Sequence, residues 1–319
     1  MCRAFLNPYL DEEGNPSIFR FNAGAITLCL PQIYYKSKLE NKDFFEVLDY
    51  YLNIVRNISK RTMEYIGNFK ASCNPLVFMC GGFDGGNLKE DDPIRPLLKR
   101  ATISFSYSSL HEVQLLHNGK SLEEDQTFAL KIMNHFNKRL DEFKKEDGWN
   151  YSLYGCPGES LLPQMCEKFK ETYGDIPGIT DRGYFSNSFH LHVSADVTPI
   201  EKIDIESQFH ELSKAGRITH VGFSDDSNFE GIVAITRYGM SKGLYMGLNW
   251  RMNTCYSCGE QFFGDDSLEH ENDPCPNCGS SDIIKVRRMN GYISISRSLS
   301  GKTKFNDGKM KEIRDRKNM

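Results

Sequence analysis

The chain is predicted to be an α/β protein with a small cysteine-rich module near its C-terminus, on two observations. Strand-like apolar runs alternate with segments of helical period as far as about Arg251. Beyond that point two C-x-x-C pairs, Cys255/Cys258 and Cys275/Cys278, replace the pattern. Strands that alternate with helices imply parallel pairing through right-handed helical crossovers. A chain of 319 residues that is 39% hydrophobic and 12% aromatic can bury a sizeable core.

In order, Ala25 to Leu30 reads as a buried strand. From Lys42 to about Phe69, apolar residues at Phe44, Leu48, Tyr51, Leu52, Val55 and Ile58 recur at helical spacing. Leu76 to Cys80 is expected as a second strand, followed by the glycine-rich Gly81 to Gly86, and Thr102 to Tyr107 as a third. Ser121 with Glu124 has the form of a capping box opening a helix to about Lys145. Then follow Trp149 to Tyr154 (strand), Glu159 to Tyr173 (helix), Phe189 to Val193 (strand) and Ile203 to Ala215 (helix). Ile218 to Phe223 (strand), Phe229 to Lys242 (helix) and Leu244 to Leu248 (strand) complete the pattern.

Composition excludes some classes. A net charge of −4 leaves no basic surplus to neutralise the phosphates of a nucleic-acid polymer. No stretch approaches the ~18 apolar residues that would span a bilayer, so no membrane role is expected. Met1 to Leu10 lacks the apolar run of a signal peptide, so the cytoplasm is the expected compartment, and the ten cysteines read as reduced thiols plus a metal site.

The sixteen residues between Cys258 and Cys275 fall within the spacing of a four-thiolate zinc site. Gly259 and Gly279 follow the two pairs directly, and Pro274 and Pro276 stiffen the second, as tight turns aiming two sulfurs at one ion require. Two disulfides or a redox motif are the alternatives, and a reducing compartment disfavours both. Four thiolates leave no open position, so the metal would be structural, and His270 in the intervening loop is expected at the surface.

Other features are weaker signals. Asn22 beside Gly24 reads on its own as a turn residue. Cys156-Pro157-Gly158-Glu159-Ser160 leads from strand to helix, as an ordinary Pro-started helix or as an anion site built from free amides and the helix dipole. Gly81 to Gly86 matches neither a P-loop nor a dinucleotide fingerprint. His190 and His192 lack a third ligand, and Lys309 to Arg316 is a mixed-charge tail expected to cap the fold or fray. On spacing alone Gly291 is a turn glycine, and Cys2 lies next to the initiator methionine, where chains fray.

Six segments resemble, in order, those of anaerobic (class III) ribonucleoside-triphosphate reductases: Cys2-Arg3-Ala4-Phe5-Leu6, Arg20-Phe21-Asn22-Ala23-Gly24, Leu28 to Ile33, Tyr154 to Leu161, Asn187-Ser188-Phe189-His190 and Arg288-Met289-Asn290-Gly291-Tyr292. The resemblance covers essentially the whole chain. It implies the second half of a ten-stranded α/β barrel of the glycyl-radical enzyme type over 1–250, a zinc ribbon over 251–286, and a glycyl-radical loop with C-terminal tail over 287–319. It also implies anaerobic reduction of ribonucleoside triphosphates. Gly291 would store the radical by delocalisation into its flanking amides, and Cys2 would become the thiyl that abstracts the ribose 3′ hydrogen. Asn22 would lie near the sugar hydroxyls, Cys156 to Ser160 would hold the phosphates, and Cys255, Cys258, Cys275 and Cys278 would hold Zn²⁺.

Cys156 and Gly158 depart from the family's Thr-Pro-Ala-Glu-Ser, and Cys29 stands where asparagine is common. The implied partners are a radical S-adenosylmethionine iron–sulfur activase and an N-terminal fragment supplying the other half of a split enzyme, the assembled form being a homo-oligomer. An inactive remnant and a zinc-ribbon binding module are the competing readings.

Overall fold

The computed structural model describes residues 4–8, 10, 21–82, 86–266, 270, 272–288, 290–299, 301–303 and 305–317. β1 (Asn22–Cys29) runs directly into α1 (Leu30–Leu39), where Pro31 occupies the first turn and its missing N–H costs no helical bond. α2 (Phe44–Gly67) starts at Asp43, whose carboxylate accepts from Phe45 N and Glu46 N. Two single-turn helices, α3 (Pro75–Phe78) and α4 (Arg95–Leu98), precede β2 (Thr102–Ser108). α5 (Leu110–Asn118) and α6 (Thr127–Asp147) each end on a left-handed glycine, and β3 (Asn150–Gly155) follows.

β1, β2 and β3 form a parallel sheet with β2 central. Alternation along β2 sends Ile103, Phe105 and Tyr107 into the core with Leu48, Leu52, Val55, Phe136, Leu140 and Phe143. Thr102, Ser104, Ser106 and Ser108 take the opposite face and are also buried. The start of the chain helps to cover that face: Asn7 N–H donates to Thr102 Oγ1 (3.0 Å) and Asn7 Nδ2 to Asn150 Oδ1 (2.6 Å).

α7 (Leu161–Tyr173) and α8 (Pro199–His210) follow, the latter opened by a capping box between Thr198 and Glu201. β4 (Thr219–Phe223) and β5 (Met246–Trp250), joined through α9 (Phe229–Ser241), make a separate two-stranded parallel sheet. The cysteine module is an antiparallel sheet of β6 (Met252–Cys255), β7 (Gln261–Phe263), β8 (Ile283–Arg288) and β9 (Ile293–Arg297), in the order β7-β6-β8-β9. Buried Arg287 on β8 forks onto Asp266 (2.6 and 2.8 Å) and reaches Asn253 Oδ1 (3.0 Å). α10 (Asp307–Asp315) returns the tail to the body.

The expected half of a ten-stranded α/β barrel is not formed. The described strands make three small sheets, none closed on itself, whereas a barrel needs every edge paired around the ring. The stretch 189–193, expected as a strand, shows why: it adopts turns. Ser188 has φ +43°, His190 N–H donates back to Asn187 O, and Leu191 N–H donates to the Glu206 carboxylate instead of to a ladder. Leu76 to Cys80 is not a strand either, because Pro75 seeds a helical turn there. Ser121 and Glu124 do bond to each other, but the helix begins later, at Thr127.

Candidate active site and metal centre

The four cysteines converge. Their sulfurs all lie within 4.8 Å of one another, with Cys255 to Cys278 and Cys258 to Cys275 at 3.6 Å. A disulfide would need about 2.05 Å. Four thiolates about 2.3 Å from a tetrahedral zinc stand roughly 3.8 Å apart, so the cage has the dimensions of a four-thiolate zinc site. Each pair is a repeat of the same turn. Gly259 N–H donates to Cys255 O and Gly279 N–H to Cys275 O, both at 2.9 Å, and both glycines have positive φ (+80° and +74°). Any side chain there would strain the turn that aims the sulfurs. The cluster therefore has the geometry to hold a metal ion, and His270 is outside it, paired with Asp273.

β8 leaves this cage and carries the chain to Gly291, which meets the segment expected to bind phosphate. Gly291 N–H donates to Glu159 Oε1 at 2.7 Å, and a Cβ on Gly291 would sit 3.3 Å from both that oxygen and Pro157 Cγ. Two further side chains fix Arg288 and Asn290 before it. His220 Nε2, on β4, donates to Asn290 O (3.0 Å), while the Arg316 guanidinium donates to Arg288 O and, at 3.4 Å, to Asn290 Oδ1. Arg316 is held by Glu312, whose carboxylate also takes the fully buried Lys309 Nζ (2.6 Å). Burial disfavours the Glu312 carboxylate, but the two cations outweigh it and hold its pKa below the usual range.

The segment before α7 is closely bonded. Gly158 N–H donates to Asn187 Oδ1 (3.2 Å), and Leu161 and Leu162 N–H both donate to Gly158 O (2.7 and 3.1 Å). Asn306 Nδ2 reaches Ser160 O (3.2 Å). A Cβ on Gly158 would come within 2.4 Å of Leu162 Cγ, which explains glycine at this position. Cys156 is half-buried at the mouth of the segment.

The other expected site residues fall elsewhere. Cys2 lies outside the described residues. The nearest described neighbours, Ala4 and Phe5, pair with Ala215–Gly216, which pairs in turn with β3 at Leu153, Tyr154 and Gly155, directly before Cys156. Asn22 starts β1, in register with Thr102 and Asn150, whereas Gly155 is in register with Tyr107 and Leu28. That puts it at the opposite end of the sheet, about 17 Å away along the strands. Its Nδ2 donates to Ser104 Oγ (2.7 Å) and its Oδ1 accepts from Gly24 N (2.9 Å).

Sequence reasoning missed the supports of the glycine loop. His220 is one histidine in an apolar strand, and Lys309 to Arg316 reads only as a mixed-charge tail that caps the fold or frays, with nothing to mark Arg316 as a support of the loop. A cavity of about 110 Å³ behind the loop is lined by Asn187, His190, His220, Arg288, Asn290 and Arg316. Beneath the lining residues His190, Leu191 and Lys202, fully buried Glu206 accepts from His190 Nδ1 (3.1 Å), Thr219 Oγ1 (2.8 Å) and Leu191 N (3.2 Å), and pairs with Lys202. Desolvation pushes the Glu206 pKa up, yet Lys202 and His190 together carry it well below the usual carboxylate range.

No helix among the described residues is long and apolar enough to cross a membrane. The family model described as anaerobic ribonucleoside-triphosphate reductase matches residues 1–319. The chain is 32% identical over 326 residues to the anaerobic ribonucleoside-triphosphate reductase of Salmonella typhimurium, covering 99% of this chain and 45% of that protein. It is 30% identical over 332 residues to the protein of the same name from Enterobacteria phage T4, covering 99% and 52%. The chain thus spans about half the length of the curated relatives it matches. Among solved structures, one titled anaerobic ribonucleotide reductase superposes with a TM-score of 0.69 at 15% identity, over 98% of this chain and 47% of that one. The Thermotoga maritima anaerobic ribonucleotide reductase with dATP in its specificity site gives 0.65 at 17%, over 90% and 46%. These two likenesses show a shared fold. Together with the match along its entire length, they lead to one conclusion: this chain belongs to the anaerobic ribonucleoside-triphosphate reductase family.

Proposed function

We propose that the chain takes part in the anaerobic reduction of ribonucleoside triphosphates to deoxyribonucleoside triphosphates, with Gly291 as the site of a stored carbon radical and Cys2 as the thiol it oxidises. The observation that carries the reading is the docking of Gly291 onto the Pro157–Glu159 turn, which joins two segments 132 residues apart. A radical on the glycine α-carbon is delocalised into its two flanking amides, and these need a fixed, water-poor seat; Glu159, His220 and Arg316 supply contacts of that kind. The hydrogen-atom abstractor must start as a neutral thiol, so a sheltered cysteine is required rather than a thiolate. Cys156 to Ser160 would take the substrate phosphates at the start of α7, using the amides not already bonded to Gly158 O and Asn187. Asn22 would contact substrate only if the nucleotide reached the far end of the sheet.

The four cysteines would hold a structural Zn²⁺, whose role is to pin β6 against β8 and so set where Gly291 emerges. In this reading 1–250 is the catalytic body, 251–286 the zinc ribbon and 287–319 the radical loop and tail. Activity would require the region that the relatives have and this chain does not match, supplied by another chain, and a radical S-adenosylmethionine activase to form the radical. The assembled enzyme would be a cytoplasmic homo-oligomer. The test is anaerobic conversion of CTP to dCTP by this chain with an activase, a separately expressed copy of the unmatched region, and an added two-electron reductant, formate or a reduced redoxin. Product that disappears in Cys2→Ser is expected, and undiminished turnover by Cys2→Ser would overturn the assignment.

A further inference from the structure

We propose that the Glu159 carboxylate is a positioning group for the Gly291 peptide and not a phosphate ligand, the phosphates being left to the backbone amides of the segment. The inference rests on the reading of Gly291 as the radical residue for its consequence, but not for its geometry. A carboxylate is a poor phosphate ligand, since two anions repel where solvent is sparse. Here the carboxylate has another task. Its Oε1 accepts Gly291 N–H at 2.7 Å, the length of a charge-assisted bond, and is the only side-chain acceptor that this amide has among the described residues. Its Oε2 is buried with no hydrogen-bond partner among the described residues, so the glycine amide is what compensates the buried end of the side chain.

The backbone of Glu159 is adapted to this aim. It has φ +25°, a region that side-chain-bearing residues enter only when their surroundings force them. Those surroundings are the bonds of Gly158 to Asn187 and of Leu161 to Gly158 O on either side. Pro157 closes the other flank of Gly291, with Cγ 3.3 Å from the position of an added Cβ. His220 and Arg316 hold Asn290 and Arg288, whereas Glu159 holds Gly291 itself. A hydrogen bond at that N–H fixes the plane of the preceding peptide. It also enriches the nitrogen lone pair, which is the group that donates into an electron-poor α-carbon radical. Glu159 would thereby set both the orientation and the persistence of the radical.

The test is amide hydrogen exchange at Gly291, followed by mass spectrometry of the peptide that contains it, in the unmodified chain, Glu159→Ala and Glu159→Gln, each checked for zinc content. Protection of the Gly291 amide in the unmodified chain is expected. Glu159→Ala should accelerate its exchange at least about tenfold, and Glu159→Gln, whose amide oxygen remains an acceptor, should restore most of the protection. Equal acceleration in the Ala and Gln variants, or no change in either, would overturn the proposal. Should Glu159→Ala fail to fold, an unprotected Gly291 amide in the unmodified chain would overturn it alone. Absence of an organic radical after activation would sink the radical reading while leaving these exchange results intact, so the two failures are distinguishable.

Discussion

Lowering the pH from 7 to 5 should cost this chain about 4 kcal/mol of folding stability, through two buried histidines. His192 accepts at Nδ1 from Arg182 and from Ser194 N–H, and its ring stacks on Tyr184. Burial first, and then the Arg182 charge, push its pKa down to about 3. His210 donates from Nε2 to Thr219 Oγ1, whose own hydroxyl donates to Glu206, and its Nδ1 is buried with no hydrogen-bond partner among the described residues. Burial pushes its pKa down to about 4. Both rings are thus neutral in the folded protein, while the unfolded chain protonates them near the ordinary value of 6.5. Because the folded pKa values are depressed, the stabilisation is fully present above about pH 6.5 and is lost as pH falls toward 4 and 3. Each proton that only the unfolded state binds costs about 1.4 kcal/mol per pH unit, or about 2 kcal/mol per histidine between pH 7 and 5. Urea denaturation at half-unit pH intervals measures this slope directly, and His210→Gln should remove about half of it. A stability that stays flat or rises from pH 7 to 5 would refute the assignment of both rings as neutral.

The remaining expectations concern the cage and the tail. Cys275→Ser should lower zinc in anaerobically prepared protein from about one ion per chain to well below half, as read by atomic absorption; full retention would exclude the four-thiolate site. Lys309→Met should destabilise the chain by about 3 kcal/mol in urea, the low end for breaking a buried ionic cluster, because Arg316 still pairs with Glu312. A loss below about 1 kcal/mol would mean that this cluster does not hold α10 in place. In Glu206→Gln the loss should come with a weakened acid response below about pH 4.5, since a carboxylate with a depressed pKa stabilises above its unfolded pKa and loses that effect as pH falls.

What the sequence made legible was local chemistry. The spacing of the four cysteines and the glycine after each pair specify the cage, because both turns are closed by bonds between near neighbours. β2, β3 and β4 stood out as short runs rich in β-branched and aromatic residues, and α2 and α7 by their period. Leu76 to Cys80 has the same apolar look as a strand, but Pro75 and short-range bonds make it a helical turn. Phe189 to Val193 alternates correctly and still is no strand, since Glu206, thirteen residues beyond Val193, takes the Leu191 amide. Sheet closure was inferred from resemblance and failed because pairing of edges is a long-range property. The contacts of the 288–291 loop are long-range too: Glu159, which holds Gly291, and His220 and Arg316, which hold Asn290 and Arg288, come from three separate segments, and nothing in their local sequence marks them as neighbours of one loop.

The central claim is that Gly291 carries the radical. Its most direct test is electron paramagnetic resonance of the chain after anaerobic treatment with a radical S-adenosylmethionine activase, with and without deuterium at the glycine α-carbon. An organic radical signal split into a doublet by one α-hydrogen, collapsing on deuteration and absent in Gly291→Ala, is the result predicted. A signal that persists in Gly291→Ala, or that ignores deuteration of glycine, would contradict it.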